Sequence, residues 1–351
     1  MAQAPLLNGP QVSVLMVARN TGPFIGAAIA SARAQSVADI EIIVVDDGSE
    51  DETRAIAESH AAADARVRVL AGPGAGLAAV RNASLDAARG RRALILDSDD
   101  LLAPDHVAGL LALAESSGAP MVAANMVSFR EGGSEAGAWL FASGQGWQAE
   151  REIDLATFLR ANCLFGAGPN LGYLKPLFDM DFLRRHALRY ASGLRIGEDF
   201  DLLLRAMLAG GQLCFTPRAS YFYRQHAGST SARLPLADIE TLIAAEAAYA
   251  LPETGDIAAA ARARRASLHA AAGHARAVAA LKRRDGAAAL AALGGNWHAW
   301  QLLGRSCVEA VAKRCGLAAG HRPAPEADAA ARHLLQAQDQ AARNRAQAVP
   351  A

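Results

Sequence analysis

The stretch ALILDSDD, residues 93–100, ends a short apolar run with three carboxylates. Its first four residues predict a buried strand, and Asp97, Asp99 and Asp100 follow where that strand ends. In an open α/β sheet, ligands bind beside the carboxyl ends of the strands. Two carboxylates in D-x-D spacing can hold a divalent cation through their oxygens, and that cation can bridge a diphosphate. Because carboxylates also cap helices, and Asp100 could cap a helix beginning at Leu101, the motif alone leaves both interpretations open.

Apolar runs alternate with helical spacing through the first hundred residues. Strands are predicted at Val12 to Ala18, Ile40 to Val45, Val67 to Leu70 and Ala93 to Leu96. Helices are predicted between them at about 24–32, 49–57 and 77–88. Fully apolar strands that alternate with helices predict an α/β fold with a parallel sheet covered on both faces.

The pattern is looser beyond Pro104. The segments predicted there are a strand at Met121 to Phe129, a mobile loop at Glu131 to Gly146, a helix at Asp199 to Leu208, strand ends at Gln212 to Phe215 and Ser220 to Tyr223, and a break at Pro323 to Pro325 before a final helix. From Leu236 onward the chain is rich in Ala and predicted to be helical. We therefore divide it into a sheet domain, 1–235, and a helical C-terminal region, 236–351.

The composition predicts a protein of the cytoplasm. The chain has 351 residues of which 52% are hydrophobic, enough for a sizeable core. It has no apolar run near 18 residues and hence no predicted transmembrane helix, and Met1 to Gln11 lack the features of a signal peptide. The four cysteines form no CxxC pair, which favours reduced thiols.

The formal net charge of zero hides a division along the chain. From Pro252 to Ala351 there are 14 Lys or Arg and 7 Asp or Glu, a net of +7, so the preceding residues carry −7. A basic helical region could touch the cytoplasmic face of the inner membrane, with Trp297 and Trp300 at the interface. The alternative is a helix packed on the rest of the protein. Nucleic acid is not expected, because the basic residues are not interleaved with aromatic ones.

Acidic groups recur where other elements begin or end. Asp46 and Asp47 follow one parallel strand, as Asp97 to Asp100 follow another, so both groups are predicted on one edge of the sheet. A third pair, Glu198 and Asp199, begins a later helix. Nucleotide-sugar transferases typically have such carboxylates on one edge of the sheet: one contacts the nucleotide base, one binds a metal and one accepts a proton.

Five motifs follow one another along about residues 12 to 230: VSVLMVARN (12–20), EIIVVDDGS (41–49), AVRN (79–82), LILDSDD (94–100) and GED (197–199). With them the chain resembles the family 2 glycosyltransferases. LGYLKP (171–176) and YRQHAGS (223–229) also resemble the branch that builds succinoglycan-type exopolysaccharides. The resemblance implies a GT-A type, Rossmann-like, mostly parallel sheet flanked by helices, with an α-helical C-terminal extension. The nucleotide half would be about residues 12–100 and the acceptor half 101–235.

The resemblance implies a site for a nucleotide-diphosphate sugar, most simply a UDP-hexose. Asp47 would accept a hydrogen bond from the base of the uridine nucleotide, and Arg81 would approach the nucleotide. Asn20, Asp97 and Ser98 would complete this donor site. The open alternatives are that Asp47 caps a turn and that Arg81 makes only a surface ion pair.

The resemblance also implies a divalent cation, Mn²⁺ or Mg²⁺. Asp99, Asp97 and His226 would hold it, and it would neutralise the charge that builds on the departing diphosphate. Asp97 could contact the ribose instead. The alternative for His226 is a loop histidine without a ligand.

Asp199 is the predicted general base, taking the proton of the acceptor hydroxyl during a single in-line attack that inverts the sugar. Partial burial would raise the pKa of its carboxyl, whereas the helix N-terminus would lower it. Glu198 would orient the acceptor or cap the helix. Lys175 would meet an acceptor phosphate or lie on the surface.

Two departures from the family pattern bear on which reaction is expected. Arg19 stands where relatives often carry an aromatic residue, and the Gln-x-x-Arg-Trp motif of processive synthases is absent. We therefore expect transfer of one sugar to a saccharide or lipid-linked acceptor in polysaccharide biosynthesis. The alternatives are a sugar-nucleotide nucleotidyltransferase, which usually has a glycine-rich loop after the first strand, and a non-catalytic nucleotide-sugar-binding module, against which Asp99 and Asp199 argue.

Overall fold

The structure is a computed structural model that describes residues 9–130, 138–166, 168–226 and 234–314, with side chains to residue 308. The predicted break at Pro323 to Pro325 and the helix after it lie outside the described residues. So does the part of the predicted mobile loop at 131–137.

The first half is the predicted alternation of strands and helices. Its elements are β1 (Val12–Ala18), α1 (Gly22–Arg33), β2 (Ile40–Asp46), α2 (Thr53–Ala63), β3 (Val67–Ala71), α3 (Leu77–Ala87) and β4 (Arg92–Ile95). The strands pair in parallel in the order β3-β2-β1-β4. All seven residues of β2 are buried, as expected for a strand with helices on both faces. The carboxyl ends of β1, β2 and β4 therefore meet on one edge.

The second half extends this sheet with shorter elements. They are β5 (Leu101–Leu102), α4 (His106–Ser117), β6 (Met121–Arg130), β7 (Trp139–Leu140), β8 (Arg151–Ile153), α5 (Leu155–Ala161), a 3₁₀ turn (Leu171–Tyr173), β9 (Leu177–Asp179), α6 (Met180–Arg185), α7 (Glu198–Leu208) and β10 (Leu213–Gln225). The full order is β3-β2-β1-β4-β9-β6-β10-β5. β9 is antiparallel to both β4 and β6, so the sheet is mixed.

Three local details differ from what the sequence suggests. No helix begins at Leu101, because that residue starts β5, and α4 begins at His106. The two predicted strand ends around 212–223 are one strand, β10, which shifts register near Ala219 to accommodate Pro217. The predicted mobile loop contains β7, and the Asn125 side chain binds both backbone groups of Ala142 just after it.

The described part of the C-terminal region, residues 236–314, is helical, as predicted. It consists of α8 (Leu236–Glu246), α9 (Gly255–Lys282), α10 (Gly286–Leu293) and α11 (Trp297–Arg314). Within the described ranges, none of the helices combines the length and apolar character needed to cross a bilayer. Ala260 and Ala261 of α9 pack in the same hydrophobic core as the strands of the sheet. The division at residue 235 stays a prediction. Helix α9, which follows it in the sequence, packs against elements that precede it.

Candidate active site

One cavity of about 670 Å³ opens at the carboxyl edge of the sheet. All ten residues predicted for the site line it: Asn20, Asp47, Arg81, Asp97, Ser98, Asp99, Lys175, Glu198, Asp199 and His226. They come from the ends of β1, β2, β4 and β10, from α3, from the start of α7 and from the segment between the 3₁₀ turn and β9. The parallel half of the sheet thus brings together carboxylates that are far apart in sequence.

A buried pair of cations bridges the carboxylates at the centre of this cavity. The Lys175 ammonium lies 2.9 Å from Asp97 Oδ2 and 2.7 Å from Asp199 Oδ2. The Arg81 guanidinium lies 2.9 Å from Asp97 Oδ1, 3.6 Å from Glu198 Oε1 and 3.7 Å from Asp199 Oδ2. Lys175 is 6% exposed and Arg81 4%. The surface alternatives for these two residues were therefore wrong.

The carboxyl groups around these cations have pKa values shifted in opposite directions. Burial would raise the pKa of Asp97, but Lys175 and Arg81 outweigh burial and hold it well below its usual range. Burial, reinforced by the charge of Asp199, raises the pKa of Glu198 to about 7. Glu198 is therefore partly protonated near neutrality, whereas Asp97 is ionised.

The DSDD turn is held by β10, which the sequence did not indicate. Asp100 is fully buried and accepts hydrogen bonds from the Tyr221 hydroxyl (2.8 Å) and the Arg224 backbone N–H (2.7 Å). The Asp97 N–H donates to the Tyr221 hydroxyl at 3.2 Å, and Arg224 Nε donates to the Asp99 carbonyl oxygen at 2.8 Å. Asp100 therefore fixes the turn that presents Asp97 and Asp99.

Asp99 faces the cavity beside His226. The His226 Nε2 atom lies 2.9 Å from Asp99 Oδ2, and the histidine ring packs on Phe24 with centroids 4.7 Å apart. Burial and the nearby charge of Asp97 raise the pKa of Asp99. Both oxygens of Asp97 already accept from Lys175 or Arg81. In the described part of the chain no group of three or more His, Cys, Asp or Glu side chains is arranged to hold a metal.

One carboxylate is nevertheless a sufficient protein contribution for a cation that is bound mainly by substrate phosphates. Mg²⁺ is usually bound by one or two carboxylates, with substrate phosphates and water completing its shell. Asp99 and His226 provide a carboxylate and an imidazole next to the same cavity. Their chemistry therefore fits a cation that arrives with a diphosphate and does not fit an all-protein metal site.

Asp47 also lines the cavity and lies against the loop of residues 72–76. Gly74 N–H donates to Asp47 Oδ1 at 2.8 Å. A Cβ at Gly72 would lie 2.5 Å from Asp47 Oδ1 and 2.8 Å from Asp47 Cα, so the loop can pass here only with glycine. Asp46, not Asp47, accepts the weak turn bond from the Ser49 N–H at 3.4 Å. Asp47 therefore binds the neighbouring loop and does not cap its own turn.

The remaining donor-side residues have local roles as well. Asn20 adopts a left-handed backbone conformation, φ +53°, and its Oδ1 atom accepts the Glu50 N–H at 2.8 Å. It thereby joins the loops after β1 and β2. Ser98 is buried in the DSDD turn. Sequence reasoning missed Tyr190, over whose ring the Arg81 guanidinium lies at 5.5 Å; Asn82, in the AVRN motif, holds the backbone of Tyr190 by two hydrogen bonds.

Known proteins resemble this chain in sequence and in fold. The profile described as "Glycosyl transferase family 2" matches residues 13–180. Two Rhizobium meliloti (strain 1021) proteins align with 68% of this chain and 68% of their own length: the succinoglycan biosynthesis protein ExoO, 37% identical, and ExoU, 31% identical.

Solved structures share the architecture at low sequence identity. S. aureus TarS 1-349, solved in complex with UDP-GlcNAc, is 16% identical and has a TM-score of 0.57, covering 80% of this chain and 90% of its own. Mannosyltransferase PcManGT from Pyrobaculum calidifontis, solved with GDP-Man and Mn²⁺, is 18% identical with a TM-score of 0.54, covering 90% and 85%. At these identities the likeness concerns the fold alone.

Proposed function

The chain belongs to glycosyl transferase family 2, and we propose that it transfers one hexose from a UDP-sugar to a hydroxyl group of a saccharide or lipid-linked saccharide, with inversion, in polysaccharide biosynthesis. As a member of that family it is a glycosyltransferase, and its fold is the GT-A fold. One observation carries the proposal: acidic residues from β2, β4 and α7 line a single cavity around two buried cations.

In the proposed donor complex, Asp47 accepts a hydrogen bond from the uracil base at one end of the cavity. The ribose and diphosphate then lie toward Asp97 and Arg81. Lys175 and Arg81 supply positive charge close to the leaving group, where charge builds as the bond to the sugar breaks. A divalent cation held by Asp99 and His226 would add Lewis-acid neutralisation of the diphosphate.

The proposed chemistry is one displacement. The acceptor oxygen bonds to the anomeric carbon, the bond from that carbon to the diphosphate oxygen breaks, and the nucleoside diphosphate leaves with the electron pair. Asp199 accepts the hydroxyl proton. Glu198, whose pKa is raised to about 7 by burial and by Asp199, orients the acceptor. The nucleotidyltransferase and binding-module alternatives gain no support from the family.

Cleavage of a donor in the absence of acceptor tests this proposal. The full chain is incubated with UDP-glucose, UDP-galactose, UDP-GlcNAc or GDP-mannose, each with Mn²⁺, Mg²⁺ or EDTA, and the released nucleotide is quantified. We expect UDP release from one UDP-sugar, and EDTA should reduce it by about tenfold or more because the leaving diphosphate loses its counter-charge. Release from GDP-mannose alone would reject the uridine assignment, and release from none of the four would reject the activity.

The outer face of the C-terminal helices adds a proposed partner. Of the six exposed large hydrophobic residues in the described chain, five lie on α9 to α11: Leu281, Leu290, Trp297, Trp300 and Val308. Lys282, Arg283 and Arg284 are exposed beside Leu281, and no ion pair is found for them among the described residues. Apolar side chains next to unneutralised basic ones match the surface of an anionic bilayer, so we assign this face to the inner membrane.

Vesicle flotation of the full chain checks the membrane assignment. We expect flotation with vesicles containing phosphatidylglycerol, loss of flotation at high salt because the attraction is screened, and loss in a Trp297→Ala/Lys282→Glu/Arg283→Glu variant. Phe165→Ala, which removes the one exposed large hydrophobic side chain described outside this face, is the matched control. Equal flotation of the triple variant and the control, or none by the wild type, would contradict the assignment.

A further inference from the structure

The C-terminal helices contact the helix that carries the catalytic carboxylates, directly at its first residues. Gly197 precedes α7 and has φ +82°. A Cβ built there would lie 2.7 Å from Leu242 Cδ2, so the Leu242 side chain of α8 packs on the Gly197 backbone. Glycine permits many backbone conformations, and the contact with Leu242 restricts them at the residue before Glu198 and Asp199.

A second contact comes from α9. The Arg264 guanidinium lies over the Phe200 ring, 3.7 Å from its centroid, and pairs with Glu246 of α8. Arg264 is 4% exposed, so an unpaired charge there would be costly. The ion pair therefore ties α8 to α9 directly against the residue that follows Asp199.

The same arginine also reaches the segment that carries the bridging lysine. Arg264 donates to the carbonyl oxygen of Asn162, and Asn162 Oδ1 accepts the Gly172 N–H at 2.7 Å. Gly172 lies three residues before Lys175. Arg264 thus contacts the residue after Asp199 directly, and it is linked through Asn162 to the segment that carries Lys175.

A third contact is made within the first turn of α7. The Tyr249 hydroxyl donates to Asp201 Oδ1 at 2.8 Å. Glu198, Asp199 and Asp201 all lie in the first turn, where like charges repel one another while the helix dipole favours them. Tyr249 adds a hydrogen bond that holds one of the three carboxylates away from the cavity.

We infer that α8 and α9 are part of the active site, and that Leu242 and Arg264 are positioning residues that hold Asp199 against Lys175. Both also line the cavity, so the acceptor meets a wall made partly by the C-terminal region. This inference rests on the proposed function for its kinetic consequence and on the contacts with α7 for its structural one.

Two leucines of one cluster provide the test. Leu242 and Leu268 are both buried in the same hydrophobic cluster, but the three atoms nearest to a Cβ built at Gly197 all belong to Leu242. We expect Leu242→Ala to lower kcat for donor cleavage about tenfold with the Kd for UDP within about twofold, because small displacements of reacting groups are costly. Both alanine variants should lower Tm by a similar amount, but Leu268→Ala should leave kcat unchanged. Leu242→Met, which conserves volume, should restore kcat.

Hydrogen exchange separates this inference from the proposed activity. Amides of residues 198–204 should exchange faster in Leu242→Ala than in Leu268→Ala, whether or not a donor has been identified. If Leu242→Ala fails to fold, Tyr249→Phe, which removes one hydroxyl, should still raise exchange in α7 and lower kcat several-fold. Equal exchange and equal kcat in the two alanine variants would overturn the inference. A wild type that cleaves no donor, with the exchange difference present, would overturn only the activity.

Discussion

Replacing Asp199 by Asn should abolish sugar transfer and leave UDP binding intact. We expect kcat to fall by about 10²- to 10⁴-fold, the usual contribution of a positioned general base, because an amide cannot accept the acceptor's proton. The amide oxygen can still accept from Lys175, which donates to Asp199 Oδ2 at 2.7 Å in the wild type, so the cavity should keep its shape. Released UDP measures kcat, and titration calorimetry with UDP measures binding.

The control for this variant is Asp86→Asn. Asp86 is an exposed carboxylate that pairs with Arg189 on the protein surface, so its loss should leave kcat within about twofold. Wild-type turnover by Asp199→Asn would reject Asp199 as the base. Glu198, whose pKa of about 7 suits proton transfer near neutrality, would then be the group to replace.

Replacing Lys175 by Met should destabilise the fold more than any surface change. Lys175 is the cation nearest to Asp199 and lies as close to Asp97 as Arg81 does, and methionine keeps its length without its charge. Removing one partner from a buried ion pair typically costs about 3–5 kcal/mol, since the other charge stays buried and uncompensated. Arg81 still faces Asp97, so we expect about 3 kcal/mol, the lower end of that range. Urea unfolding of the two proteins measures the difference.

A second lysine offers the matched substitution. Lys282 lies at the end of α9 and is exposed, so Lys282→Met should change the free energy of unfolding by less than about 0.5 kcal/mol. Lys175→Arg, which keeps the charge but not the shape, should fall between the two. A cost below about 1 kcal/mol for Lys175→Met would mean that the two carboxylates are neutral or hydrated in the folded protein.

The parallel half of the sheet could be predicted from sequence because its signal is local. Runs such as IIVV, residues 42–45 of β2, are continuous apolar segments, and parallel pairing then requires the carboxyl ends of the strands to share an edge. The meeting of Asn20, Asp47 and Asp97 at one cavity follows from that topology, whereas Lys175, Asp199 and His226 reach it from the second half of the chain. The family motifs added the expected roles, which remain predictions.

The rest depends on distant partners that no local pattern reveals. β9 has only three residues and owes its strand conformation to β4 and β6 on either side. Asp100 resembled a helix cap because its true partner, Tyr221, is 121 positions away. Burial of Lys175 was equally hidden, since a lysine beside a proline suggests an exposed turn until the carboxylates around it are known.

The close approach of Gly72 to Asp47 limits how the loop beside the proposed base site can be varied. Any side chain at position 72 would collide with the backbone of Asp47. Most variants in a saturation library at this position would therefore misfold. Pro73 and Ala75 are the positions to randomise, whereas Gly74 and Gly76 have open space but backbone angles of +66° and +90° that disfavour other residues. If Asp47 binds the base as proposed, selection for a new nucleobase would act on two codons of this loop.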